Sequence, residues 1–208
     1  MTANSVLQAI SGKLARTPLQ GEALEQRFAS LKKTASPPVP AAVNAHPLTC
    51  FREQGSRNAF QIRDCDHPDP LVATLAQQPM PIVLSPQREI AALNWSPVAS
   101  RLTCDYRAPA IAVVFAVAAI AETGTVAIRT IDVPSAMLFL SEELIIIVNT
   151  KQIVACQDDL WKTISLGDYR ALHLISGPSR TADVEQTLQV GAHGPKRVEL
   201  WLISESGL

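Results

Sequence analysis

The sequence predicts an α/β fold: a mostly parallel sheet flanked by helices, with a helical extension at the amino-terminal end. Three observations carry this. From about residue 58 to residue 203, short apolar runs alternate with stretches of helical periodicity. One run, "ELIIIVN" at 143–149, is continuously apolar and rich in β-branched residues, as a strand covered on both faces must be. Hydrophobic residues make up 47% of the 208 and charged residues 18%, enough for a substantial core in one domain of ordinary size.

Taken in order, residues 4–17 and 21–33 read as two amphipathic helices. In the second, Leu24, Phe28 and Leu31 recur at helical spacing, and Lys32-Lys33 suit a helix carboxyl end. The stretch "TASPPVPAAVNAHP" (34–47) carries four prolines, which argue against a regular helix or a central strand and for a surface linker. The expected organisation is therefore residues 1–47 as helices plus linker and 48–208 as the α/β domain.

Within that domain, "AFQIRDC" (59–65) reads as a strand and "DPLVATLAQQ" (69–78) as a helix capped by Asp69. "PIVLS" (81–85) is a short buried strand, and "PQREIAALNW" (86–95) a helix with Pro86 in its first turn. In "APAIAVVFAVAAIAETGTVAI" (108–128), the first half fits an Ala-rich buried helix. The second half fits a strand, a Thr-Gly turn and another strand. After the 143–149 strand come a helix at "CQDDLWKTI" (156–164) and a buried strand at "ALHLIS" (171–176). A helix at "TADVEQTLQV" (181–190) and the last strand, "RVELWLI" (197–203), complete the series.

Several function classes lose support at once. A net charge of −1 gives no global field to attract nucleic acid or an anionic membrane. The longest apolar run, "AIAVVFAVAAIA" (110–121), falls well short of the ~20 residues of a membrane span. "MTANSVLQAISGKLAR" lacks the apolar core of a signal peptide, so a cytoplasmic protein is expected. Cys50, Cys65, Cys104 and Cys156 are widely separated with no C-x-x-C pair. They predict reduced thiols, with no metal ligands for zinc or an iron–sulfur cluster.

Two segments invite chemistry. Ser176-Gly177-Pro178-Ser179-Arg180 follows an expected strand, where α/β sheets place ligand loops. Gly177 permits close backbone approach, Pro178 stiffens the turn, and Arg180 offers a planar fork to a carboxylate or phosphate. The plainer reading is a capped helix, with Ser179 or Thr181 as N-cap, Arg180 paired to an acid and Gly191 as the stop. Asp183 and Glu185 would sit in its first turn and oppose a dianion. His193, beside Gly194-Pro195, serves either as a base or as a donor to a loop carbonyl. In "IAETGTVAI" (120–128), Glu122 at an apolar strand end is a base or nucleophile, or the hairpin merely needs Gly124 and leaves Glu122 to bind loop amides.

"AIAETGTV" followed by "LISGPSRTADVEQTLQVGAHGP" and an apolar last strand resembles the LUD family, most strongly over 118–205. The resemblance implies a fold similar to CoA transferases, ribose-5-phosphate isomerase and methenyltetrahydrofolate synthetase. It also implies an accessory, cluster-free member of a three-protein system that oxidises L-lactate to pyruvate. Such a chain binds no cofactor directly; its partner subunits carry the iron–sulfur clusters. By the same resemblance, a small anionic ligand or a partner subunit is held by Thr123, Gly124 and Thr125, by Ser176, Gly177, Pro178, Ser179, Arg180, Thr181 and Asp183, and by His193 and Gly194. Whether the chain is an enzyme stays open: Glu122 is the candidate nucleophile of a CoA-transferase-like reaction, and a pure assembly protein, homo-oligomeric or not, is the other alternative. Two stretches depart from the family pattern, "RTIDVPSAMLFLSEELIII" (129–147) and "RAPAIAVVF" (107–115), so one wall of any pocket is expected to differ.

Overall fold

The computed structural model describes residues 21–32, 41–105, 109–130, 133–164, 170–182, 188–190 and 194–204. The chain divides into two compact units, Met1–Pro38 and Val39–Leu208. In the first, the described element is helix α1 (Glu22–Lys32), with Glu22 and Glu25 in its first turn, where their charge complements the helix dipole. The helix expected at 4–17 lies outside the described residues.

The second unit is built on a five-stranded, all-parallel sheet. Its strands are β1 (Gln61–Cys65), β2 (Ile82–Leu84), β3 (Ile111–Phe115), β6 (Glu143–Asn149) and β11 (Arg197–Ile203), in the order β1-β11-β6-β3-β2. Alternate side chains go to opposite faces. Val114, Ile146 and Leu200 enter one buried cluster, while Val113, Ile147 and Trp201 enter another. Helix α4 (Asp69–Ala76), helix α5 (Arg88–Ala91) and the 3-10 turn Ser96–Arg101 cover the second face through Leu71, Leu75, Ile90 and Val98. Continuous burial on both faces explains why β2, β3 and β6 read as unbroken apolar runs, whereas β1, at the sheet edge, carries polar residues.

The other face is covered by a second sheet. Strands β4 (Ala118–Ile120) and β5 (Thr125–Arg129) form a hairpin. β7 (Ile153–Val154) joins β4 in parallel, and β8 (Leu172–Ile175) joins β5 antiparallel. Helix α7 (Gln157–Thr163) packs Leu160 on the outer side of this sheet. Helix α6 (Ser135–Leu140) leads into β6 and buries Met137 and Leu138 in the cluster between the sheets.

Several expectations are corrected here. The Ala-rich half of 108–128 is strand β3, not a helix. Ile111, Val113 and Val114 are β-branched residues that fit a pleated surface, and a central position satisfies their backbone on both sides. The strands do not share one sheet, since β8 and the 118–129 hairpin belong to the second. Asp69 is the first helical residue of α4 with no side-chain cap, and Pro68 takes the N-cap position. Pro86 precedes α5, whose N-cap is Gln87. The linker reading fails beyond residue 40: α2 (Ala41–Ala45) and α3 (Pro47–Arg57) are helical, with Val43 and Leu48 packed against the core. Prolines precede these helices or occupy the first turn, where a missing N–H costs nothing.

The helix expected at 181–190 is also absent as such. Its two described parts, β9 (Arg180–Ala182) and β10 (Leu188–Val190), pair antiparallel, Arg180 opposite Val190 and Thr181 opposite Gln189. Among the described residues, no helix is long and apolar enough to cross a membrane.

A long-range clamp holds the helical layer. The Arg101 guanidinium donates to Leu75 O (2.6 Å), to Met80 O (3.3 Å) and to Gln78 O. It thereby ties the last turn of α4 and the residues that follow it to the 3-10 turn. Arg101→Ala is expected to cost about 1–3 kcal/mol, visible as a lower denaturation midpoint with unchanged slope. An unchanged midpoint would mean that water replaces the clamp without loss.

Candidate functional site

The turn of the β4–β5 hairpin comes first. Gly124 has φ +62, a left-handed conformation that glycine adopts freely, and it rests on the last turn of α3. A Cβ there would lie 2.5 Å from the backbone of Gln54 and Gly55. Asn58, at the carboxyl end of α3, donates from Nδ2 to Thr123 O (2.8 Å) and Gly124 O (3.1 Å). One side chain thus fixes the whole turn.

The same residue meets the second loop. Gly177 has φ +116, and a Cβ there would stand 2.1 Å from Asn58 O. No L side chain fits that position, so glycine is what lets the 176–179 loop lie against α3. Across the gap, Thr123 Oγ1 donates to Thr125 Oγ1 (2.8 Å), and Thr125 Oγ1 is 2.7 Å from Ser176 Oγ. Thr125 is buried, while Ser176 is exposed.

The third loop closes on the second. Ser179 N–H donates to Pro195 O (2.9 Å), and the Gly194 backbone packs against the Ser179 side chain. Lys196 N–H then donates to Glu142 O (2.8 Å), one residue before β6, and Arg197 opens β11. The cluster therefore sits at the amino-terminal edge of β6 and β11. This corrects the expectation that it would lie outside the carboxyl ends of a single sheet. The 176–179 loop does follow the carboxyl end of β8, but β8 belongs to the second sheet.

Among the expected site residues, Thr123, Gly124, Thr125, Ser176, Gly177, Pro178, Ser179 and Gly194 fall in these three loops. Arg180 follows directly as the first residue of β9 and is exposed. Thr181 continues β9. Asp183 and His193 lie outside the described residues. Glu122 is exposed, with its N–H given to Ala155 O (3.0 Å).

A cavity of about 240 Å³ opens beside the loops. Ser176, Gly177, Ser179, Gly194 and Pro195 form one side, and Leu138, Phe139, Leu144 and Leu174 the other. Glu122 and Arg180 are not in its lining. The apolar wall comes from α6, the start of β6 and Leu174 of β8. At the start of β6, Glu142 pairs with Lys196 (3.1 Å) and Glu143 with Arg197.

Sequence reasoning missed Asn58 and the helix that carries it. A signal was present: Pro47 at a first turn, Leu48 and Phe51 three apart, and an Asn where helices commonly end. The cysteines offer no competing centre. None of the four forms a disulfide, and among the described residues no three or more of His, Cys, Asp and Glu cluster as metal ligands would. Burial, reinforced by Asp64 and Asp66, pushes the Cys65 thiol up, away from the thiolate that a metal requires.

Residues 106–203, which supply most of both sheets and all three loops, match the model of the LUD domain. Over these residues the chain is similar to the LUD domain family. Lactate utilization protein C of Bacillus pumilus (strain SAFR-032) is 33% identical over 103 residues, 46% of this chain and 43% of the relative. The match thus spans less than half the length of that curated protein. Among solved structures, a DUF162 family protein from Deinococcus radiodurans superposes with a TM-score of 0.57 at 17% identity. It covers 79% of this chain and 100% of its own. At that identity the likeness speaks for the fold. Asn58 and α3 lie before the LUD match, so the site is completed by residues outside it.

Proposed function

We propose that this chain serves lactate utilization as an accessory, cluster-free subunit of a system that oxidises L-lactate to pyruvate. In this reading the three loops bind a small anionic ligand or a carboxylate of a partner subunit, and the partners carry the iron–sulfur clusters. One observation supports it above others. Three segments far apart in sequence, 123–125, 176–179 and 194–195, are bonded into one cluster, with a cavity beside it and Arg180 at its margin. Loops that only turned the chain would have no need of a shared anchor at Asn58. The relative's name supports a role in lactate utilization, and the polar cluster supports a binding role for the loops.

A CoA-transferase-like reaction at Glu122 draws no support from the geometry, because Glu122 is exposed and outside the cavity lining. The test is a strain lacking this chain, grown on L-lactate or on pyruvate as sole carbon source. Failure on L-lactate alone, restored by the full chain, is the expected result. Equal growth on both would contradict the proposal.

A further inference from the structure

We infer that the cavity between α6, the end of β8 and the 176–179 loop holds a short aliphatic carboxylic acid of about five or six carbons, longer than lactate. The inference rests on the reading of the loop cluster as a binding site and adds the class of its ligand. The first ground is a chain of hydroxyls. Thr123 gives its proton to Thr125 Oγ1. Thr125 Oγ1 lies 2.7 Å from Ser176 Oγ, and either of the two can be the donor. The exposed Ser176 hydroxyl is thereby held at the edge of the cavity, where it can hydrogen-bond a polar head group.

The second ground is the opposite wall. Leu138 and Leu144 are fully buried behind it, while Phe139 and Leu174 each leave 40% of their surface exposed. Such apolar surface beside a polar rim is stabilised by an aliphatic chain laid across it. The volume of about 240 Å³ is room for roughly eight water-sized atoms at ~30 Å³ each. A six-carbon acid has eight non-hydrogen atoms, whereas lactate would leave much of the apolar wall bare.

The third ground is the placing of charge. Among the described residues no cation lines the cavity, so a fully enclosed carboxylate would lose its hydration uncompensated. Ser176 is exposed at the rim, and the exposed Arg180 directly follows the lining residue Ser179, so the head stays wetted there and the chain points inward, as amphipathic groups do at interfaces. The backbone around the head is already fixed by Gly177 against Asn58 and by Ser179 against Pro195, so little ordering is left to be done on binding.

The experiment is calorimetry on the full chain with propanoate, butanoate, pentanoate, hexanoate and octanoate, and with hexanamide as a neutral control. Affinity is expected to rise about fourfold per methylene, the equivalent of ~0.8 kcal/mol, and to level off beyond hexanoate. Hexanamide should bind more weakly than hexanoate. Leu174→Ser should flatten the chain-length series, and Ser176→Ala should weaken every acid alike. Absence of saturable binding, a series without length dependence, or hexanamide binding as well as hexanoate would overturn the inference. If the acids fail to bind while growth on L-lactate still requires this chain, the cavity is not the ligand site but the functional reading survives. If both fail, the loop cluster itself has been misread.

Discussion

Gly177→Ala is expected to destabilise the protein by about 3–5 kcal/mol and to separate the two central loops. Two costs add. At φ +116 the residue occupies backbone space that L side chains avoid, and the new methyl would meet Asn58 O at 2.1 Å. The obstacle is backbone at the end of α3, not the tip of a mobile side chain, so it cannot swing aside. Relief requires the 176–179 loop to lift. Lifting breaks the contact between Thr125 and Ser176, and with it the hydroxyl chain that reaches the cavity. Denaturant unfolding of the variant measures the stability loss, and amide exchange at residues 123–125 reports the loosened turn. A variant as stable as the parent would mean that the close approach of Gly177 to α3 is wrong.

Phe51→Ala should cost about 3–5 kcal/mol, the range for deleting a fully buried aromatic ring. Phe51 lies on α3 with no exposed surface, inside the cluster between the two sheets. Were residues near 47 a linker lying on the surface, the same change would cost a few tenths of a kcal/mol. The midpoint of chemical unfolding therefore decides whether α3 is part of the core. A large loss with residual folded protein would also expose the site to the damage, because α3 carries Asn58.

These two residues show where the sequence was readable and where it was not. The strands β2 and β6 could be found because burial on both faces writes itself as an unbroken apolar run, as in "ELIIIVN". The same run is ambiguous when alanine is abundant: "AIAVVFA" satisfies a buried helix and a buried strand equally, and only its partners β2 and β6 decide. Pairing itself leaves no local trace. Nothing in "ALHLIS" tells that β8 joins the hairpin sheet rather than the parallel one. The segment after Arg180 has apolar residues at helical spacing, yet Thr181 and Val190 are β-branched and sit in a two-stranded ribbon.

The site was half legible for the same reason. Its loops announce themselves through residues with special backbone needs, Gly124 and Gly177 among them, and through the resemblance that they carry. Their convergence on Asn58 is a tertiary fact. An asparagine ending a helix is too common to single out, and its two carbonyl partners lie 65 and 66 residues away in sequence. The location at the amino-terminal edge of the parallel sheet likewise depends on β8 leaving that sheet.

The central claim, that the loop cluster works rather than merely folds, is tested most directly at Arg180. The measurement pairs a thermal melt with growth on L-lactate as sole carbon source, in a strain that depends on the variant chain. Arg180 is exposed, so Arg180→Ala should cost at most ~1 kcal/mol of stability and leave the melt nearly unchanged. Losing a charged contact to an anion should still weaken binding by about 2 kcal/mol, roughly thirtyfold. Arg180→Lys keeps the charge but not the planar fork, and should restore growth only in part. The account predicts a folded Ala variant that fails on L-lactate. A folded Ala variant that grows on L-lactate as well as the parent would contradict it.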